Sequence, residues 1–206
     1  EEKRFFELIT RTSKFSFSLI FIPAIIIIVN MPLILDLWLK EVPEYAVSFA
    51  QLLVISVIFD ATSGPYNIAI MSTERIRNYQ LSIGFVFLLD LIISFLLMWY
   101  GISPNYILIS RIMTRGVINL IVGLYFLNSL FKFNIIEYLK TVLLPIFIVV
   151  LLLMPMIFFL KNNTSDWQLF AYSLISLLIT GSLLIYLVIF DRNERKYFIN
   201  FIRKRI

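Results

Sequence analysis

The sequence predicts an all-α fold: a polytopic transmembrane bundle of six membrane-spanning helices with both termini cytoplasmic. Three observations predict it. Hydrophobic residues make up 60% of the 206 and charged residues only 15%, against roughly 45–50% and 25% in soluble domains. A small soluble core cannot absorb that much apolar surface, because a large part of such a domain still faces water. The apolar residues also fall into six continuous runs, each near the roughly 20 residues a helix needs to cross hydrocarbon. None of the runs alternates with period two, as barrel strands would. Soluble enzymes, nucleic-acid binders and disordered tails are thereby excluded.

The runs lie at about 15–35, 46–70, 80–100, 106–129, 139–160 and 167–190. The first contains Pro23 and Pro32, and the fifth contains Pro145 and Pro155. In each case a kink is expected where the proline removes a backbone donor. The second contains Ser63-Gly64-Pro65, where a kink or break makes Gly64 and Pro65 candidate hinge residues. The third and fourth hold the polar residues discussed below. The fifth is almost wholly apolar between Thr141 and Lys161, which suits a lipid-facing helix. The sixth has a weak polar stripe, Ser173, Ser176 and Thr180. The connections are short, with Pro43, Gly101 and Pro104 among their residues. No loop is long enough for a separate domain.

Charge orients the helices. Fourteen of the 18 Lys and Arg fall on one predicted side: the N-terminal segment, the second-to-third and fourth-to-fifth connections, and the tail from Arg192. Only Lys40 and Lys161 fall on the other. Cytoplasmic loops carry the excess of Lys and Arg, so both termini are placed inside. Trp38, Trp99 and Trp167 all fall at predicted outer ends, where aromatic residues gather at the membrane interface. Residues 1–190 are read as the bundle and 191–206 as a basic cytoplasmic tail, an interfacial amphipathic helix. The chain lacks an initiating Met and opens on Glu1-Glu2-Lys3-Arg4. That stretch is read as the middle of a loop, hence as part of a longer polypeptide.

The sequence contains no Cys and no His. Thiolate nucleophiles, disulfides and the commonest metal ligand and general base are therefore missing. No catalytic residue, metal or cofactor is expected.

Four charges lie inside predicted spans: Asp60, Asp90, Arg111 and Arg115. A charge at a helix centre costs roughly 2.5–3.5 kcal/mol on insertion scales, so these four must face the bundle interior or a wet cavity. Their neighbours agree. Ser56, Asp60, Ser63 and Asn67 follow the helical period on the second span. Asp90 and Ser94 stack on the third. Arg111, Arg115 and Asn119 stack at i, i+4, i+8 on the fourth, with Thr114 alongside. Two readings stay open: the Asp and Arg residues pair to hold the bundle, or they line a translocation path. On the second, Arg111, Arg115 and Asn119 are candidate substrate-binding residues, because guanidinium holds phosphate bidentately. Asp60 and Asp90 are candidates for ion coupling or pairing.

One stretch is similar to a known family. Leu37-Trp38-Leu39, Val42-Pro43-Glu44-Tyr45, Asp60-Ala61-Thr62-Ser63-Gly64-Pro65 and Thr73-Glu74-Arg75-Ile76-Arg77-Asn78-Tyr79-Gln80 resemble bacterial polysaccharide biosynthesis proteins. These are the O-antigen (Wzx-type) flippases of the MATE-like multidrug/oligosaccharidyl-lipid/polysaccharide exporter superfamily. The resemblance covers about residues 5–125, and Glu74 stands where the family often has Gly. It implies a transporter of 12 to 14 helices, of which this chain is the C-terminal half, in the bacterial inner membrane. The implied activity is movement of an undecaprenyl-diphosphate-linked O-antigen or polysaccharide repeat unit across the membrane by alternating access. The implied partners are that lipid-linked oligosaccharide, membrane lipids and the N-terminal half of the same transporter, with no nucleic acid. A membrane glycan polymerase or ligase, and a drug exporter of the same superfamily, are the alternatives.

Overall fold

A computed structural model describes residues 2–73, 76–163, 167–191 and 194–195. Among them six helices are long and apolar enough to cross a membrane: Arg4–Trp38, Ala46–Met71, Ile76–Trp99, Pro104–Phe131, Ile135–Leu160 and Phe170–Ile189. No strand occurs among the described residues. The chain is an all-α, multi-pass membrane protein. It divides into two compact units, Glu1–Ile135 and Ile136–Ile206, so the first unit holds spans one to four and the second holds spans five and six. Most of the predicted tail lies outside the described residues, as does the Glu74-Arg75 turn.

The first helix starts earlier than the sequence suggests. It runs unbroken from Glu2 to Trp38, so the opening residues are helical and do not form a loop. At 1.5 Å per residue its 37 residues extend about 55 Å, well beyond a hydrocarbon core of about 30 Å. Its extra turns are held by burial: Ile9, Thr10, Ser13, Lys14, Phe17 and Phe21 are all buried, at the three- and four-residue spacing of one helix face. Phe5 and Phe6 pack on Phe131 and Phe133, at the end of the fourth span.

Proline does not break these helices. Pro23 and Pro32 lie inside the first, and Pro65 lies inside the continuous second. Of the kink or break expected at Ser63-Gly64-Pro65, the helix does not break there, and Gly64 has no atom close enough to demand a glycine. Pro32 shows how continuity is kept. Its missing N–H frees the Ile28 carbonyl four residues earlier, and Gln51 Nε2 of the second span donates to that oxygen at 2.8 Å. A neighbouring helix thus satisfies the group that proline orphans, as a membrane interior requires. In the fifth span the answer is local: a π-helical turn, Leu139–Leu143, comes just before Pro145 and includes Thr141, the residue whose carbonyl the proline ring would crowd.

The third span ends in a Schellman turn. Ile102 N–H reaches Leu97 O and Gly101 N–H reaches Met98 O, the paired bonds of that motif. Gly101 at φ +67° is the left-handed residue it needs. Gly101→Ala is expected to cost about 1 kcal/mol, read as a lower thermal midpoint in detergent. Pro104 then occupies the first turn of the fourth span, where its missing N–H is harmless. That span ends on Lys132 at φ 51°, whose N–H bonds to Asn128 O, the simpler left-handed cap.

In the second unit, Ser173, Leu177, Ile185 and Ile189 of the sixth span are buried, as are Val149, Leu153 and Leu160 of the fifth. Ser176 and Thr180 bond back to their own helix, and Thr180 Oγ1 also lies 3.3 Å from Met156 Sδ of the fifth. The predicted polar stripe is therefore spent on internal contacts. Leu144, Phe147, Leu151, Phe158 and Phe159 are exposed, an apolar surface suited to lipid. Arg195 closes the sixth span by donating to Phe190 O and Leu187 O, with its guanidinium 5.3 Å from the Tyr186 ring centroid. A cation at a helix C-terminus meets the carbonyls and the negative end of the dipole.

Candidate functional site

The polar residues of spans two, three and four converge in the first unit. Asp90, on the third span, is 3% exposed. A buried carboxylate needs donors and a countercharge, and the fourth span supplies both. Thr114 Oγ1 donates to Asp90 Oδ1 at 2.8 Å. Arg111 Nε stands 3.7 Å from Asp90 Oδ2, an ion pair longer than a hydrogen bond. Of the two readings the sequence left open, Asp–Arg pairing is thus realised for Asp90 with Arg111.

Arg111 also faces outward. Its side chain is 46% exposed, and it lines a cavity of about 230 Å³ between spans two and four. Ser56, Phe59 and Asp60 form one wall, and Leu108, Arg111 and Gly116 form the other. Asp90 is the one partner of Arg111 among the described residues. A guanidinium has five N–H donors, and those beyond Nε remain available to an anion in the cavity.

The register of the fourth span is unusual. Residues Ile112–Ile118 are π-helical, so hydrogen bonds run to the fifth residue and the four-residue stacking is lost. Arg111 and Gly116, five apart, both reach the cavity, while Thr114 turns to Asp90. Of the described members of the expected i, i+4, i+8 face, Arg111 lines the cavity and Asn119 does not. Its Oδ1 is shut from solvent and accepts no hydrogen bond among the described residues. Arg115 lies in the π segment, and its side chain is outside the described residues.

No family model, no curated protein and no solved structure matches the chain. The site is therefore read from its own residues.

The second-span stripe divides. Asp60 is exposed and Ser56 half-buried, whereas Ser63 is buried and donates to Asp60 O. Asn67 accepts from the Tyr79 hydroxyl of the third span. Ser94 is half-buried above Asp90 on the third span.

Sequence reasoning missed two features. Lys14 is 1% exposed, so it joins Asp90 as a buried charge among the described residues. The signal was present in the apolar spacing that continues through Phe5, Phe6 and Ile9, before the first predicted run. The second is Gly116, where an added Cβ would stand 3.1 Å from the Phe59 ring. This glycine lets an aromatic side chain lie against the fourth span beside the cavity.

Proposed function

We propose that this chain forms the anion-holding part of a transporter that moves a lipid-linked oligosaccharide across the bacterial inner membrane by alternating access. The cargo class is an undecaprenyl-diphosphate-linked O-antigen or polysaccharide repeat unit. The observation behind this reading is Arg111: a half-exposed guanidinium on a cavity wall within an apolar span, with donors to spare. Such a group binds phosphate oxygens in a low-dielectric setting, and intramembrane charges commonly mark transport paths. The resemblance over residues 5–125 supplies the glycan part of the reading. Both termini then face the cytoplasm. Asp60 and Arg111 are too costly to leave against lipid, so the N-terminal half of the same transporter covers their face.

Arg111 must be tested without orphaning Asp90. In the intact protein, Arg111→Gln on an Asp90→Asn background is expected to abolish surface polysaccharide, while Asp90→Asn alone retains a measurable level. Membrane insertion of both is checked by immunoblot of the membrane fraction. Normal polysaccharide in the double variant would overturn the role. Phe59 and Asp60 on one wall favour a second reading, export of an organic cation. It predicts that loss of the protein sensitises cells to toxic cations and leaves glycan unchanged.

A further inference from the structure

We infer that the Phe59 ring, seated on Gly116, is the size-selecting wall of the anion site: it closes one end of the cavity and keeps bulk carried by the anion out of that end. The inference rests on the reading that Arg111 takes an anionic group.

Spans two and four lie side by side in parallel register. Ser48 Oγ donates to Asn105 Oδ1 at 2.9 Å, across 57 residues of sequence. Phe59 lies on Gly116 and Tyr66 on Gly123, and both pairs repeat that separation. A separation that stays constant along two helices means that they run the same way. The cavity fills the stretch between the first two of these contacts. It begins at Leu52 and Leu108 and ends at Asp60 and Gly116, about 12 Å along the helix axes.

Past that end the groove is filled. Thr62, Ser63 and Tyr66 are buried on span two, and Gly123 and Leu124 on span four. Phe59 is the side chain that separates the cavity from this packed region. A Cβ added at Gly116 would stand 3.1 Å from its Cγ and 3.2 Å from its Cδ1, so the ring reaches from one span to the backbone of the other. Glycine lets it cross, because a side chain at position 116 would occupy the same place. A phosphate held by Arg111 therefore has the stretch toward Ser56 and Leu52 open to it and an aromatic wall at the other end. A single methylene in an apolar pocket changes discrimination 10–200-fold, as an order of magnitude. A whole ring should thus decide which substituents the anion can carry. Without it, packed surroundings relax only partly, and an apolar space of that kind takes up an aromatic guest.

The 206 residues contain no cysteine, so Ser56→Cys puts a single thiol of this stretch on the cavity wall. The full-length protein carrying it is reconstituted into liposomes and treated with N-ethylmaleimide at increasing inorganic phosphate or phenyl phosphate. Labelling is read by mass on the peptide that contains residue 56. In this parent, phenyl phosphate is expected to need a concentration about tenfold above that of inorganic phosphate for half protection. Phe59→Ala should lower the phenyl phosphate value about tenfold and leave the inorganic phosphate value where it was. Phe59→Leu, which keeps an apolar side chain against Gly116, should move the same way by less. Adding Gly116→Leu to Phe59→Ala refills the space from the opposite wall and should restore the parental preference. Equal protection by the two anions in the parent would overturn the role of Phe59, as would an unchanged preference in both Phe59→Ala and Phe59→Leu. Failure of Gly116→Leu to restore the preference would overturn the seat on Gly116. In each of these cases protection by inorganic phosphate leaves the anion site standing. Absence of that protection in the parent, or protection that survives Arg111→Gln on Asp90→Asn, would overturn the anion reading and this inference together.

Discussion

Gly123→Leu is expected to prevent the first unit from folding. Even a single methyl group at Gly123 would overlap the ring edge of Tyr66, and Tyr66 is completely buried. The ring is a rigid group shut away from solvent. Small residues are what allow two membrane helices to approach this closely, here spans two and four. Overpacking costs typically 1–3 kcal/mol and occasionally more. Gly123→Ala should therefore lose up to about 2 kcal/mol even after the gain of about 1 kcal/mol in helix propensity. Leucine, with three further carbons, should yield little monodisperse protein after detergent extraction. The test includes a second site. On a Tyr66→Ala background, Gly123→Ala should cost nothing, because residues in contact are not additive. A parental thermal midpoint for Gly123→Leu would show that the ring moves freely and would refute the account.

The second large effect is an asymmetry across the Asp90–Arg111 pair. Asp90 is enclosed and Arg111 is 46% exposed, so the two partners are not equivalent. Arg111→Ala removes a countercharge from a buried carboxylate. Breaking a buried pair from one side costs about 3–5 kcal/mol, and the lower end applies here because Thr114 still donates to Oδ1. Asp90→Asn keeps an oxygen for Thr114 and leaves Arg111 beside an open cavity, so its cost should stay near 1 kcal/mol. The double variant Asp90→Asn/Arg111→Ala should recover most of the loss seen in Arg111→Ala. Thermal unfolding in one detergent ranks the three. If Asp90→Asn proved the more damaging change, the burial argument would fail.

These effects show what the sequence could and could not reveal. The six spans were legible because each is a long apolar run, and hydrocarbon admits few alternatives to helix. The four mid-span charges were legible because so few charges interrupt those runs. Their pairing was not. Whether Arg111 meets Asp90 or Asp60 depends on helix rotation, and the π segment Ile112–Ile118 changes that rotation within the span. Only Gly116, beside Arg115, hinted at a departure from the α form. At Pro32 the sequence could not show how continuity is kept, because Gln51, the partner that takes up the freed carbonyl, sits far away in sequence. Gly123 carried no local signal, because its meaning lies in Tyr66, on a different helix.

The π segment also bears on how this span tolerates change in length. A π turn is an α-helix that has accommodated one residue too many. The surplus is confined between Ile112 and Ile118, so the helix on either side keeps its own course. A chain with one residue fewer in that interval could build the same span as an unbroken α-helix, with both ends still meeting their neighbours. Counting from Arg111 across such a gap would then assign the wrong partner to every polar position beyond it. Correspondence between this span and any other is therefore set by which side chains meet Asp90 and the cavity, and simple numbering along the helix will not find it.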